Sequence, residues 1–290
     1  MKKPFFTGVC TALVTPFTEG KLNFPMLETL LHRQMEAGIE AVVLAGTTGE
    51  SPTLSDEEKI DMFRFAKEVT KGRMKIIAGT GSNSTAHAVR LSQAAEAAGA
   101  DALLVVTPYY NKATPQGLTA HYLAVASAVS IPVILYNVPS RTGVDLPVSV
   151  CKALSRVSNI AGIKEASTDL TKITKLRNAC ATDFDLWSGN DDLTTPVISL
   201  GGRGVVSVVS NILPAETQAM AKAALDGDLD TAADLQSRLQ PLTELLFCEV
   251  NPIPVKAAME LMGLDCGPCR MPLTPISEKN HRSLEEFLLR

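Results

Sequence analysis

Ala102-Leu103-Leu104-Val105-Val106 is apolar at every position, with no polar residue alternating along it. A strand wetted on one face alternates; a strand covered on both faces does not, and such burial is the condition of a parallel sheet clothed in helices. Runs of the same kind recur outward from it. Toward the C-terminus stand Pro132–Tyr136, Ile160–Lys164, Phe184–Trp187 and Gly204–Val209; toward the N-terminus stand Lys75–Ala78, Ala41–Ala45 and Val9–Val14.

The segments between these runs carry helix signals. Ser55-Asp56-Glu57-Glu58 spells a capping box, in which serine and glutamate each satisfy a free backbone N–H at the helix start. Asn23-Phe24-Pro25 opens another helix with proline in the first turn, where its missing N–H costs nothing. Gly38, Gly72 and Gly99 fall where helices should stop. Eight β-then-α units predict an α/β fold of the (β/α)8 TIM-barrel type over residues 1–225. A doubly wound open sheet is the competing architecture, but its glycine fingerprint is missing. Gly79-Thr80-Gly81 lacks the third glycine, and Gly201-Gly202-Arg203-Gly204 precedes a strand instead of following one. From residue 226 to 290 only helical patterning remains, over Leu229–Leu246, Pro254–Met262 and Ser277–Leu289. These are expected to form a C-terminal helical domain.

With 290 residues, 46% hydrophobic and 20% charged, the chain can bury a large core. A net charge of −4 gives no reason to expect nucleic acid or an anionic membrane as partner. No run approaches the ~18 apolar residues that span a bilayer. Met1-Lys2-Lys3-Pro4-Phe5-Phe6 starts basic but leads into Thr7-Gly8, so no signal peptide is expected. Cys10, Cys151, Cys180 and Cys248 sit singly in apolar or helical contexts and read as buried thiols of a cytoplasmic protein.

Barrel active sites lie where strands end, so the strand ends are the place to look for chemistry. They carry Gly46-Thr47-Thr48-Gly49-Glu50-Ser51, Thr107-Pro108-Tyr109-Tyr110-Asn111, Tyr136-Asn137-Val138-Pro139-Ser140-Arg141-Thr142-Gly143, Gly162-Ile163-Lys164-Glu165 and Ser188-Gly189-Asn190-Asp191. Lys164 ends an apolar run, where desolvation favours the free amine that carbonyl attack requires. An ion pair with Glu165, or an outward position between helices, explains it equally well. Tyr110 and Tyr136 are packing residues or proton carriers linked through Thr47. The Thr47-Thr48 amides and hydroxyls suit a small carboxylate. Arg141 is either a solvated loop residue or a bidentate fork for a second carboxylate.

Together these motifs resemble those of the dihydrodipicolinate synthase and N-acetylneuraminate lyase superfamily, in order from Gly8 to Asn251-Pro252-Ile253-Pro254-Val255-Lys256. Arg141 and Tyr110 are most similar to the synthase branch. The resemblance implies a lyase of the diaminopimelate route to lysine. Lys164 would form a Schiff base with pyruvate, and the resulting enamine would add to L-aspartate 4-semialdehyde. Tyr136 would move protons, with Thr47 linking it to Tyr110 across a dimer interface. Thr48, the Val206 backbone and Gly189 would hold the pyruvate end, and Arg141 the carboxylate of the semialdehyde. It implies a homodimer or homotetramer and no cofactor or catalytic metal. Alternatives are an aldolase for a sialic acid or keto-deoxy sugar acid, and a binding protein that keeps the barrel without turnover.

Other signals carry less. Cys266-Gly267-Pro268-Cys269 spells a redox motif but lies between C-terminal helices, and an incidental thiol pair is expected. His32, His87, His121 and His281 form no metal-spaced set, and His32 and His121 are expected at a surface or interface. Asp191-Asp192 reads as helix capping. Ser51, Asn83 and Tyr109 match the site where many family members bind lysine as inhibitor. Lys59 and His87 depart from that pattern, and weak or absent lysine inhibition is expected.

Overall fold

The computed structural model describes residues 3–289. Eight parallel strands close into a barrel: β1 (Gly8–Ala12), β2 (Ala41–Leu44), β3 (Lys75–Gly79), β4 (Ala102–Val106), β5 (Val133–Asn137), β6 (Ile160–Glu165), β7 (Asp185–Ser188) and β8 (Gly204–Ser207). Each lies within a residue or two of an apolar run expected to be a strand. The closing seam pairs Gly8 with Gly204 and Cys10 with Val206. At Gly204 (φ +148°) an added Cβ would lie 1.8 Å from the Gly8 carbonyl oxygen, so only glycine admits the close approach.

Helices α1 (Phe24–Glu36), α2 (Asp56–Thr70), α3 (Thr85–Ala97), α4 (Pro115–Ser127), α5 (Val148–Leu154), α6 (Leu170–Ala179), α7 (Thr194–Ser199) and α8 (Pro214–Asp226) wrap the barrel. Their starts follow the expected chemistry. Ser55 and Glu58 form the reciprocal capping box of α2 at 3.2 and 2.9 Å, and Asn23 accepts the Met26 amide at the start of α1. Three further helices, α9 (Leu229–Leu246), α10 (Ile253–Leu261) and α11 (Glu278–Leu288), follow. A short antiparallel ribbon, Phe17–Thr18 with Lys21–Leu22, was not anticipated. Among the described residues, no helix is long and apolar enough to cross a membrane.

Two apolar cores result from the alternation along each strand. The larger lies between strands and helices and includes Val105, Leu135 and Ile163. The smaller fills the barrel with Cys10, Val43, Leu104, Ile134, Tyr136 and Trp187. At the floor, Phe6 stacks on Trp187 at 4.7 Å and accepts its indole N–H through the backbone carbonyl at 3.2 Å.

Two expectations about burial are corrected. Cys248 is exposed and Cys180 half-buried, while Cys10 and Cys151 are buried as expected. Cys248 follows the C-terminus of α9, beyond the face that packs. His121 is only 3% exposed. It lies on the packed face of α4 with Leu118, Tyr122 and Val125, its Nδ1 meets the Thr85 hydroxyl at 2.9 Å, and burial disfavours its protonated form.

Candidate active site

Lys164 and Glu165 are consecutive on β6 and therefore face opposite sides of the sheet. Tyr136, Lys164 and Trp187 are register partners on β5, β6 and β7, and so share the inward face. Lys164 is 6% exposed, with Nζ 4.2 Å from the centroid of the Tyr136 ring. Gly189 leaves room for it, since an added Cβ there would stand 3.1 Å from Lys164 Cε and 2.5 Å from the Ala166 methyl.

Glu165 points outward, and its charge is taken there. Lys172 of α6 lies 3.3 Å from Glu165 Oε2, and Asn137 Nδ2 donates to both carboxylate oxygens at 2.8 and 3.0 Å. Lys172 also pairs with Asp145 at the mouth. Among the described residues, Lys164 has no ion pair. The Glu165 pairing and the outward orientation that sequence left open are therefore both absent.

Beside the Tyr136 ring a cavity of about 430 Å³ opens, lined by Thr47, Tyr136, Val138 and Arg141 among others. The loop after β2 carries Thr47 and Thr48 between two non-glycine residues in left-handed backbone, Ala45 (φ +52°) and Glu50 (φ +57°). Such backbone persists only where its surroundings hold it. Glu50 is held by Lys256 Nζ at 3.0 Å and by the Arg270 amide at 2.8 Å.

Thr48 is 2% exposed, and its hydroxyl accepts a hydrogen bond from Asn251 Nδ2 at 3.0 Å. Its own proton is therefore available to a bound anion. Arg141 sits on a one-turn helix, Pro139–Thr142, directly after β5. It is exposed at the cavity mouth and donates one N–H to the Asn251 carbonyl at 3.4 Å, leaving most of the guanidinium fork open. Val206 is buried on β8 beside Cys10. Tyr110 does not reach the others within the chain: it is 89% exposed, at φ +72°.

Asn251 and the Asn137–Glu165–Lys172 set were not singled out from sequence. The only available signal for Asn251 was an amide beside the prolines of an otherwise apolar helix start. Asp191 does act as a cap, but for the turn Val209–Asn211 that follows β8. Its Oδ2 accepts the Val208 and Val209 amides at 2.8 and 3.3 Å. Burial pushes its carboxyl above the ordinary range, opposed by the Ser207 hydroxyl, these amides and the charge of Lys164. The Cys266 and Cys269 thiols are pushed up to about 12 and about 11, chiefly by burial, and stay protonated at neutral pH.

A closed parallel barrel with a desolvated, unpaired amine among polar groups at the C-terminal ends of its strands defines a carbonyl-condensing barrel enzyme. The chain belongs to the dihydrodipicolinate synthetase family, whose model matches residues 5–290. It is 48% identical over 286 residues to the 4-hydroxy-tetrahydrodipicolinate synthase of Thermoanaerobacter sp. (strain X514), covering 98% of this chain and 96% of that one. The dihydrodipicolinate synthase of Aquifex aeolicus superposes with a TM-score of 0.96 at 42% identity, covering 98% and 97% of the two chains. A monomeric dihydrodipicolinate synthase variant superposes equally well, with a TM-score of 0.96 at 41% identity over 98% and 96%.

Proposed function

We propose that this enzyme condenses pyruvate with L-aspartate 4-semialdehyde to give 4-hydroxy-tetrahydrodipicolinate, through a Schiff base on Lys164. The observation that carries the chemistry is the separation of neighbouring charges: Glu165 is neutralised by Lys172 outside the barrel, and Lys164 faces Tyr136 inside it. Family membership supports the choice of substrates.

The amine of Lys164 attacks the pyruvate ketone, water leaves, and an imine forms. Loss of a methyl proton gives the enamine, whose carbon adds to the aldehyde. The substrate amine then displaces Lys164 as the ring closes. Tyr136, against the amine, is assigned the proton transfers. The Thr48 hydroxyl and the backbone at Val206 and Gly189 hold the pyruvate end, and Arg141 receives the second carboxylate. Thr47 lies in the same cavity as Tyr136 and is assigned the link to Tyr110. Because Tyr110 projects from its own chain, that link calls for a second copy, and we assign a homodimer or a pair of dimers. The protein supplies the amine itself, so the reaction calls on neither a cofactor nor a metal. We place the enzyme in the cytoplasm, as the family's biosynthetic relatives suggest.

A substrate comparison tests the reading. With pyruvate present, L-aspartate 4-semialdehyde should be consumed to a cyclic product absorbing after dehydration, whereas a sialic acid should not be cleaved. Cleavage of the sialic acid without semialdehyde turnover would overturn it.

A further inference from the structure

Lys59 of α2 lines the same cavity as Thr47 and Tyr136 and is only 7% exposed. Two acids flank it on the helix, and both are engaged by other side chains. Asp56 accepts His87 Nε2 at 2.8 and 3.0 Å. Glu58 accepts Arg270 Nη1 at 2.8 Å and the Ser55 amide at 2.9 Å. Among the described residues, no carboxylate comes within ion-pair distance of the Lys59 ammonium and no oxygen accepts from it. A buried cation left in this state is costly. Burial accordingly pulls Lys59 below its ordinary value, with Asp56 and Glu58 opposing from a distance. Yet the cavity gives the ammonium an open side.

We infer that the Lys59 end of the cavity is a binding site for a small anion, inorganic or carboxylate, which supplies the counter-charge the fold withholds. This differs in sign from the amino-acid effector bound by the synthases it resembles. Ser51 lines the wall beside Lys59 and offers a hydroxyl. The site shares a loop with the barrel mouth, because the Ser51 amide donates to the Gly46 carbonyl at 3.2 Å and the Glu50 amide to the Thr47 carbonyl at 3.1 Å. An anion here would therefore hold the Thr47–Thr48 loop in its present shape.

Thermal unfolding of the full chain tests this without needing turnover, so the outcome is separable from that of the catalytic reading. Wild type, Lys59→Met and Lys59→Arg are titrated in turn with sodium phosphate, sodium acetate and sodium chloride. At least one anion should raise the wild-type Tm saturably, phosphate or chloride marking an inorganic occupant and acetate a carboxylate. Lys59→Met should need at least about tenfold more of that anion, the loss of one charge-assisted hydrogen bond. Lys59→Arg should stay close to wild type. A response retained in Lys59→Met, or none in wild type to any of the three, overturns the proposal. Should Lys59→Met fail to fold, Lys59→Gln is read against the same outcomes.

Discussion

Lys172 holds Glu165 on the outer face of β6, 3.3 Å from ammonium to carboxylate, while Lys164 projects to the inner face one residue earlier. Lys172 is 5% exposed and Glu165 1%. Breaking one half of a buried pair leaves an uncompensated charge, which costs about 3–5 kcal/mol. Lys172→Met should therefore destabilise by that amount in urea denaturation. Glu165→Gln combined with Lys172→Met should recover part of the loss, because no buried charge is then left alone. A double variant as unstable as the sum of the singles would contradict the pairing.

Asn251 joins the two groups assigned to carboxylates, donating to Thr48 and accepting from Arg141. Asn251→Ala should lower kcat/KM by about fivefold, the worth of one hydrogen bond of ~1 kcal/mol. The loss should fall mainly on KM for pyruvate. Steady-state kinetics with each substrate varied in turn would show it; unchanged KM values for both substrates would contradict the role.

Lysine should inhibit poorly. At the position of Lys59 an incoming ammonium meets a like charge, and Asp56 in the same cavity already receives His87. Initial rates should be essentially unchanged by millimolar lysine. Half-inhibition below one millimolar would contradict this.

Arg270 draws the Glu58 carboxyl below its ordinary value of 4.5, chiefly through their hydrogen bond. A carboxyl held low in the folded state contributes stability above its unfolded value and loses it as pH falls through the folded one. Arg270→Met should thus lower stability at neutral pH, and the gap should shrink as pH falls below 4.5 toward the depressed folded value of Glu58. Denaturant midpoints at several pH values check this; an equal gap between variant and wild type throughout would contradict it.

Much of the barrel was legible because two-sided burial writes unbroken apolar runs, and the eight strands fall where those runs stand. The ribbon at Phe17–Thr18 and Lys21–Leu22 is too short to leave a pattern. The face of His121 was legible and misjudged: Leu118, His121, Tyr122 and Val125 recur at helical spacing, which marks a buried stripe. The inner position of Lys164 stayed open in the sequence, because an unbroken apolar run does not mark which face of its strand turns inward. What sequence could not supply was the destination of Glu165, since Lys172 lies across a loop on the next helix. Nor could it pair Asn251 with Thr48, because that contact joins the α9–α10 connection to the loop after β2, 203 residues away.

Trapping the Lys164 amine as its pyruvate imine tests its role directly. The enzyme is incubated with pyruvate, reduced with borohydride, digested and mapped by mass spectrometry. A reduced pyruvate adduct on Lys164, absent when pyruvate is omitted and absent in Lys164→Met, is the predicted result. An unmodified Lys164, or an adduct carried by another lysine, would contradict the account.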